Sequence, residues 1–197
     1  MKRDGQKVAA DFMESAIRVI ARDGFDKAST RNIAKECGLA DAYIYHYYKD
    51  KDELFSRAFQ KEDAALAAKV KQHLPVMCQP DLRLEERCRL LFGSVWKHLV
   101  AYPDSCGFYV QYYYSPYYQK YSAAEHSKTW QPLHDDLSAA FRKKEDARPT
   151  LGLVLHTMVS LAHRGRTDPQ QDDDETVNRH FELLYSFVSP RLKLEAE

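Results

Sequence analysis

An all-α protein is predicted, and three observations predict it. Glycine is scarce, seven in 197 residues, which disfavours Gly-rich loops and turn-dense β architectures. Apolar residues recur at helical spacing along most of the chain. Pro, Gly and Asp punctuate these runs, as residues that stop and start helices do. Hydrophobic residues make up 44% of the chain and the formal net charge is zero, a globular composition that argues against disorder. The length allows one or two compact domains.

The elements follow in order. From Lys7 to Arg22, the residues Ala9, Phe12, Met13, Ala16, Val19 and Ile20 form one apolar face, and Gly24 stops the helix. Ser29 and Thr30 are candidate N-caps of a short helix carrying Ile33, Ala34 and Cys37, which Gly38 closes. A second short helix follows around Asp41 to Tyr47. Asp50 starts a long helix with Leu54, Phe55, Ala58, Phe59, Ala65, Leu66 and Val70 on one side, ended by Pro75. Further helices are expected at roughly 82–101, 104–121, 126–145, 150–165 and 174–190, with Pro103 and Pro132 as local disturbances. The acidic run Asp172 to Glu175 suits the positive end of the last helix's dipole.

Thr30–Cys37, the turn Gly38-Leu39-Ala40 and Asp41–Tyr47 make the pattern of a DNA-binding helix-turn-helix. The first helix braces against phosphates, and the second offers its N-terminal side chains to base edges in the major groove. Gly38 supplies the left-handed turn that a side chain would resist. Ile33, Ala34, Leu39 and Ile44 are spaced to share a core with Phe12, Ala16 and Ile20.

The run FMESAIRVIARDGFDKASTRNIAKECGLADAYIYHYYKDKDELF, Phe12 to Phe55, closely resembles the N-terminal domain of the TetR (tetracycline repressor) family. The matching anchors are Ala16, Gly24-Phe25, Ser29, Arg31, Ile33-Ala34, Gly38-Leu39, Tyr45, Tyr48, Lys51 and Leu54. Beyond Lys61 the likeness is one of helical layout and length. The resemblance implies a three-helix head at 1–50 and a helical effector-binding and dimerisation domain at 51–197, joined by a connecting helix at about 51–74. It implies a homodimeric, ligand-responsive regulator, a repressor by the family norm. The dimer binds a palindromic double-stranded operator, and a small-molecule effector releases it. Ser29, Thr30, Tyr45, Tyr47 and Lys51 fall at positions that commonly touch phosphates. Arg31, Asp41, Ala42 and Tyr43 fall where side chains reach bases. The chemistry fits, since hydroxyls and Lys position the protein while Arg reads guanine and an acid accepts from cytosine. Two departures matter. Ala40 stands where the family usually has a capping Ser or Thr, so Asp41 is expected to cap one residue later. Ala42 stands where the family favours a small residue, often Gly. Tyr48 is expected in the core, and His46 as a packed or surface residue.

The thirteen tyrosines form two clusters: Tyr43, Tyr45, Tyr47 and Tyr48, then eight between Tyr102 and Tyr121, with Tyr185 apart. On one helix, Tyr109, Tyr113 and Tyr117 would share a face. With Trp96 and Trp130 they are the candidate lining of an effector pocket, where ring faces and hydroxyl tips offer apolar walls with polar points. Packing between helices is the equal alternative, and Ser115-Pro116 interrupts the face. The helix near 150–165 is apolar almost all round, through Leu151, Leu153, Val154, Leu155, Met158, Val159, Leu161 and Ala162. It demands burial on several sides, in a monomer core or in a two-fold four-helix interface with the last helix.

Other classes lack support. Cys37, Cys78, Cys88 and Cys106 form no C-x-x-C pair, and no segment approaches a membrane span. A soluble cytoplasmic protein with reduced thiols, no membrane partner and no cofactor is expected. His134, His156 and His163 belong to no metal-ligand or catalytic pattern, so neither a metal site nor an enzyme is expected. A helical adaptor or enzyme that has lost DNA binding is the alternative. Residues 1–61 hold 12 Lys and Arg against 10 Asp and Glu, so the head is only slightly basic.

Overall fold

Helix α1 (Gly5–Asp23) buries Phe12, Ala16, Ile17, Val19 and Ile20. It stops where Gly24 takes a φ of +81° and donates its N–H to the Ile20 carbonyl at 2.9 Å. The structure, a computed structural model, describes residues 5–165 and 173–193; Asp172 of the acidic run lies outside them. Helix α2 (Thr30–Glu36) is followed by a 3-10 turn at Asp41–His46, then by α3 (Lys51–His73). After them come α4 (Leu84–Ala101), α5 (Pro103–Tyr113), α6 (Ala123–Ser138), α7 (Ala147–Gly165) and α8 (Asp174–Val188). Among the described residues no strand forms, and Phe141 and Leu192 make an isolated antiparallel bridge.

The chain gathers into two compact units that do not follow chain order. One holds the residues up to Ala64 together with Asp104–Ser127, and the other holds Ala65–Pro103 and the chain from Lys128 onward. The reason is aromatic packing: Tyr112 of α5 stacks on Phe59 of α3 with centroids 4.6 Å apart. The Gln111 amide adds a hydrogen bond to the Ile20 carbonyl at 2.8 Å, at the open end of α1.

Three predicted helices differ from the observed ones. The segment after Gly38 winds as a 3-10 turn, with Ala40 at its N-cap making no side-chain bond. The helix expected over 104–121 breaks after Tyr113. There the Ser115 hydroxyl donates to the Tyr112 carbonyl at 2.6 Å, and Pro116 has no N–H to continue the ladder. The chain re-enters helix at Pro116 and continues through a π turn, Tyr118–Ser122, into α6. The helix expected to reach 145 ends at Ser138, because residues 140–142 pair with the C-terminal segment instead. Arg142 N–H donates to the Arg191 carbonyl and Lys193 N–H to the Ala140 carbonyl, both at 2.9 Å. That exchange buries Phe141 against Leu192 and Ala147.

In the second unit α4 contributes Phe92, Val95, Trp96 and Leu99 to the core, α7 contributes Leu155, Met158, Val159 and Ala162, and α8 contributes Phe181. Leu153 of α7 nevertheless stays 51% exposed and Leu183 of α8 64% exposed. The Asp173 carboxylate caps α8 by accepting the Thr176 N–H at 2.6 Å, and that bond holds its pKa below the ordinary value.

Candidate nucleic-acid interface

Local hydrogen bonding shapes the head. Ser29 Oγ accepts the Asn32 N–H at 3.1 Å, and the Asn32 amide reaches back to the Lys27 carbonyl at 2.8 Å. Together they fix the start of α2. At its other end Gly38 has a φ of +67°. Leu39 N–H donates to the Ala34 carbonyl at 2.9 Å and Gly38 N–H to the Lys35 carbonyl at 3.2 Å, the paired bonds of a Schellman motif. Glu36 accepts from both Arg18 and Arg22 at 3.3 Å, tying the ends of α1 and α2 together. The bond from Arg22, with that from Arg18 adding to it, draws the Glu36 pKa down.

Burial divides the head by residue type. Ile33, Ala34 and Ile44 are buried with Phe12, Ala16 and Ile20, as their spacing predicts. Tyr48 is buried too, and its hydroxyl donates to the Ala9 carbonyl at 2.7 Å. Burial pushes its phenol pKa up to about 12. Ser29, Arg31, Asp41, Ala42, Tyr43, Tyr45 and Lys51 are exposed, and Thr30 and Tyr47 are half-buried. Tyr47 lies beside Phe12, with centroids 6.3 Å apart. Among the described residues neither Arg31 nor Lys51 has an ion-pair partner.

Asp41 is partly committed locally, since its Oδ1 accepts the Ala42 N–H at 2.9 Å. That takes up one of the helix-start donors Ala40 leaves unmet. The beginning of α3 is fixed on both sides: Asp50 Oδ1 accepts the Glu53 N–H at 2.8 Å, and Glu53 Oε2 accepts the Lys49 N–H at 2.6 Å. Glu53 and Lys49 were not among the sequence candidates. The Asp-x-x-Glu spacing at 50–53 is a capping pattern that points to Glu53. For Gln111 no local signal existed, because its partner Ile20 lies far away in sequence.

The five side chains expected to line one effector pocket divide between the units. Tyr109, Tyr113 and Tyr117 belong to the first, and Trp96 and Trp130 to the second. The shared face predicted for the three tyrosines is broken, since Tyr117 lies beyond the end of α5 and stacks on Phe25 at 5.2 Å. Tyr109 is buried and donates its hydroxyl to Asp63 Oδ1 at 2.9 Å. Burial, then the facing carboxylate, push its phenol pKa well above the ordinary value, so the hydroxyl remains a donor. His126 Nδ1 lies 3.0 Å from the same oxygen, and Tyr113 packs on Tyr118 at 4.2 Å. In the second unit Trp96 stacks on Phe92 at 5.8 Å and lies 5.2 Å from His180. Trp130 lies 6.4 Å from His134.

Among the described residues, no group of three or more His, Cys, Asp or Glu side chains is placed to hold a metal. No helix there is long and apolar enough to cross a membrane. None of the four cysteines is in a disulfide.

Two short helical segments joined by a left-handed glycine, braced by a first helix and polar on the outside, define the helix-turn-helix class. Residues 12–58 match the family model of bacterial regulatory proteins, tetR family, so the head is similar to the DNA-binding domain of that family. It is 35% identical over 68 residues to the HTH-type transcriptional regulator PksA of Bacillus subtilis, covering 34% of this chain and 33% of that one. It is 33% identical over 51 residues to the fatty acid metabolism regulator protein of the same species, covering 26% of each. The matches thus span about a quarter to a third of these relatives' length. The fold extends further. A TetR family transcription regulator from Marinobacter aquaeolei superposes with a TM-score of 0.75 at 19% identity, covering 94% of this chain and 97% of that one. The Bacillus subtilis regulator FadR in complex with stearoyl-CoA superposes with a TM-score of 0.65 at 19% identity, covering 90% and 97%. PksA and the Marinobacter aquaeolei protein are transcriptional regulators.

Proposed function

We propose that the chain is a ligand-responsive transcriptional repressor that binds a palindromic operator as a homodimer in the cytoplasm. One observation carries the DNA-binding reading. In the head Ile33, Ala34 and Ile44 of the helix-turn-helix are buried and Leu39 is half-buried, while Arg31, Lys51, Tyr43, Tyr45 and the Ser29 hydroxyl remain at the surface. In this reading Ser29, Thr30, Tyr45, Tyr47 and Lys51 position the phosphates. Arg31, Ala42 and Tyr43 meet the bases, and Asp41 divides its carboxylate between the Ala42 N–H and the groove.

The exposed Leu153 and Leu183 support pairing of α7 and α8 across a two-fold axis, which would set two heads on two half-sites. For the effector we retain Trp96 and Trp130 of the second unit as pocket residues; Tyr109 and Tyr117 are engaged in packing. Long-chain acyl-CoA is the first effector class to test, because the FadR neighbour is complexed with stearoyl-CoA.

The test is selection of duplexes from a random DNA pool, followed by mobility shift across a salt series with and without stearoyl-CoA. A palindromic consensus, affinity falling steeply with salt and release by the acyl-CoA are expected. Sequence-indifferent binding, or none at low salt, would overturn the DNA reading. Binding unaffected by the acyl-CoA would overturn that effector alone.

A further inference from the structure

The π turn at Tyr118–Ser122 interrupts the regular helix of the first unit, and it sits against α3. Its wide hydrogen bond runs from the Ala123 N–H to the Tyr118 carbonyl. Such turns hold one residue more than an α turn and recur at functional sites.

The extra residue has a geometric role. Tyr118, Ser122 and His126 all meet the stripe of α3 formed by Asp52, Ser56, Phe59 and Asp63. Tyr118 packs on Phe59 at 5.6 Å. Ser122 Oγ lies 3.3 Å from Ser56 Oγ and 2.9 Å from the Tyr112 hydroxyl. His126 Nδ1 lies 3.0 Å from Asp63 Oδ1. Between these, the Tyr121 hydroxyl donates to Asp52 Oδ2 at 2.8 Å. Contacts at every fourth residue need two turns that together hold eight residues, whereas two α turns hold about seven. The π turn supplies the difference. Without it, each residue beyond Ser122 would be rotated by about 100°, and Tyr118 and His126 would not hold α3 together.

We propose that this π turn is a register switch that governs the first turn of α3, and through it the DNA-binding head; the proposal rests on the DNA-binding reading above. In the observed register the π turn meets α3 at Asp52 and Ser56 and α6 meets it at Asp63. In the other register the Ala123 N–H passes from the Tyr118 carbonyl to that of Gln119. The extra residue then moves along α6, and the contacts at Asp52 and Ser56 are released. Asp52 adjoins Lys51, the candidate phosphate contact, so releasing the turn's hold on Asp52 frees the segment that fixes Lys51. Pro132, with no N–H, interrupts the ladder of α6 and bounds how far the wide turn can travel.

The experiment compares the full-length protein with a variant lacking Gln119, an exposed residue of the π turn, and with Gln119→Ala as the control. Affinity is measured for the duplex that the wild type selects, and amide exchange over residues 118–126 is followed with and without that duplex. The deletion is expected to lower affinity about tenfold with helicity unchanged, and Gln119→Ala to leave affinity unaltered. DNA should slow exchange over 118–126 in the wild type and not in the deletion variant. If the deletion variant does not fold, Tyr121→Phe combined with Ser122→Ala replaces it, with the same direction expected. Wild-type binding with no change in exchange over 118–126, and no loss in either variant, would overturn the switch alone. A wild type that binds no duplex would overturn the switch together with the DNA reading.

Discussion

Two stretches of this chain are dense in tyrosine, and they use it in opposite ways. In the head, Tyr43 and Tyr45 are 52% and 61% exposed, while Tyr48, a few residues on, is buried. In α5 and the turn after it, Tyr109, Tyr112 and Tyr118 are buried and stacked around Phe59. The side chain is the same; its phase on the helix and the break before it differ. The first stretch follows a left-handed glycine with open space around it, so its turn projects outward. The second is bent at Ser115-Pro116 and folded back on α3. Tyrosine density by itself therefore marks neither a pocket nor a DNA surface.

The contrast predicts its largest effect in stability. Phe59 stacks on Tyr112 and lies 5.0 Å from Tyr109, so Phe59→Ala should cost about 3–5 kcal/mol in urea unfolding. Tyr45→Ala should stay within about 0.5 kcal/mol and weaken DNA binding instead. Equal destabilisation by both would erase the distinction between the regions.

Within the exposed region, the two cations should separate by role. Lys51→Ala should weaken binding to all duplexes alike and reduce the salt slope by about 1. Arg31→Ala should cost about 1–3 kcal/mol and relax preference at one base position. A binding-site selection on each variant, read beside its salt titration, checks this; identical profiles would leave the base-reading role of Arg31 without support.

The two buried hydroxyls sharpen the comparison further. Tyr48 donates to a neutral carbonyl and Tyr109 to a carboxylate. Tyr48→Phe should cost about 1 kcal/mol, and Tyr109→Phe about 1.5–3 kcal/mol, because bonds to charged groups are stronger. Thermal or urea unfolding of the two variants gives the order, and a reversed order would mean that Asp63 is satisfied without Tyr109.

Much of the head was legible because its signals are local. Ser29 three residues before Asn32, Gly38 at the end of α2, and the apolar spacing of Ile33, Ala34 and Ile44 each act within one or two turns. The end of α5 and the start of α6 were not legible. Their partners, Ile20 for Gln111, Phe25 for Tyr117 and Asp63 for Tyr109, lie far away in sequence, and no periodicity encodes such pairings. The early end of α6 was hidden for the same reason, since Phe141 leaves the helix to meet Leu192. The pocket expected from one shared tyrosine face assumed an unbroken helix, and Pro116 and the π turn shift that phase.

The difference between two substitutions at Gly38 tests the break that sets the first region apart. At Gly38 a Cβ would meet nothing within 4 Å, but φ is +67°, so Gly38→Ala pays only for the left-handed backbone, about 1–2 kcal/mol. Asn tolerates that conformation better, and Gly38→Asn should therefore cost less than Ala. Melting temperatures of the two variants should fall in that order. Because the strain is local to the turn, the aromatic cluster on Phe59 should keep its near-ultraviolet circular dichroism in both. Loss of that signal at Gly38→Ala would show that the exposed and the buried tyrosine regions depend on one another.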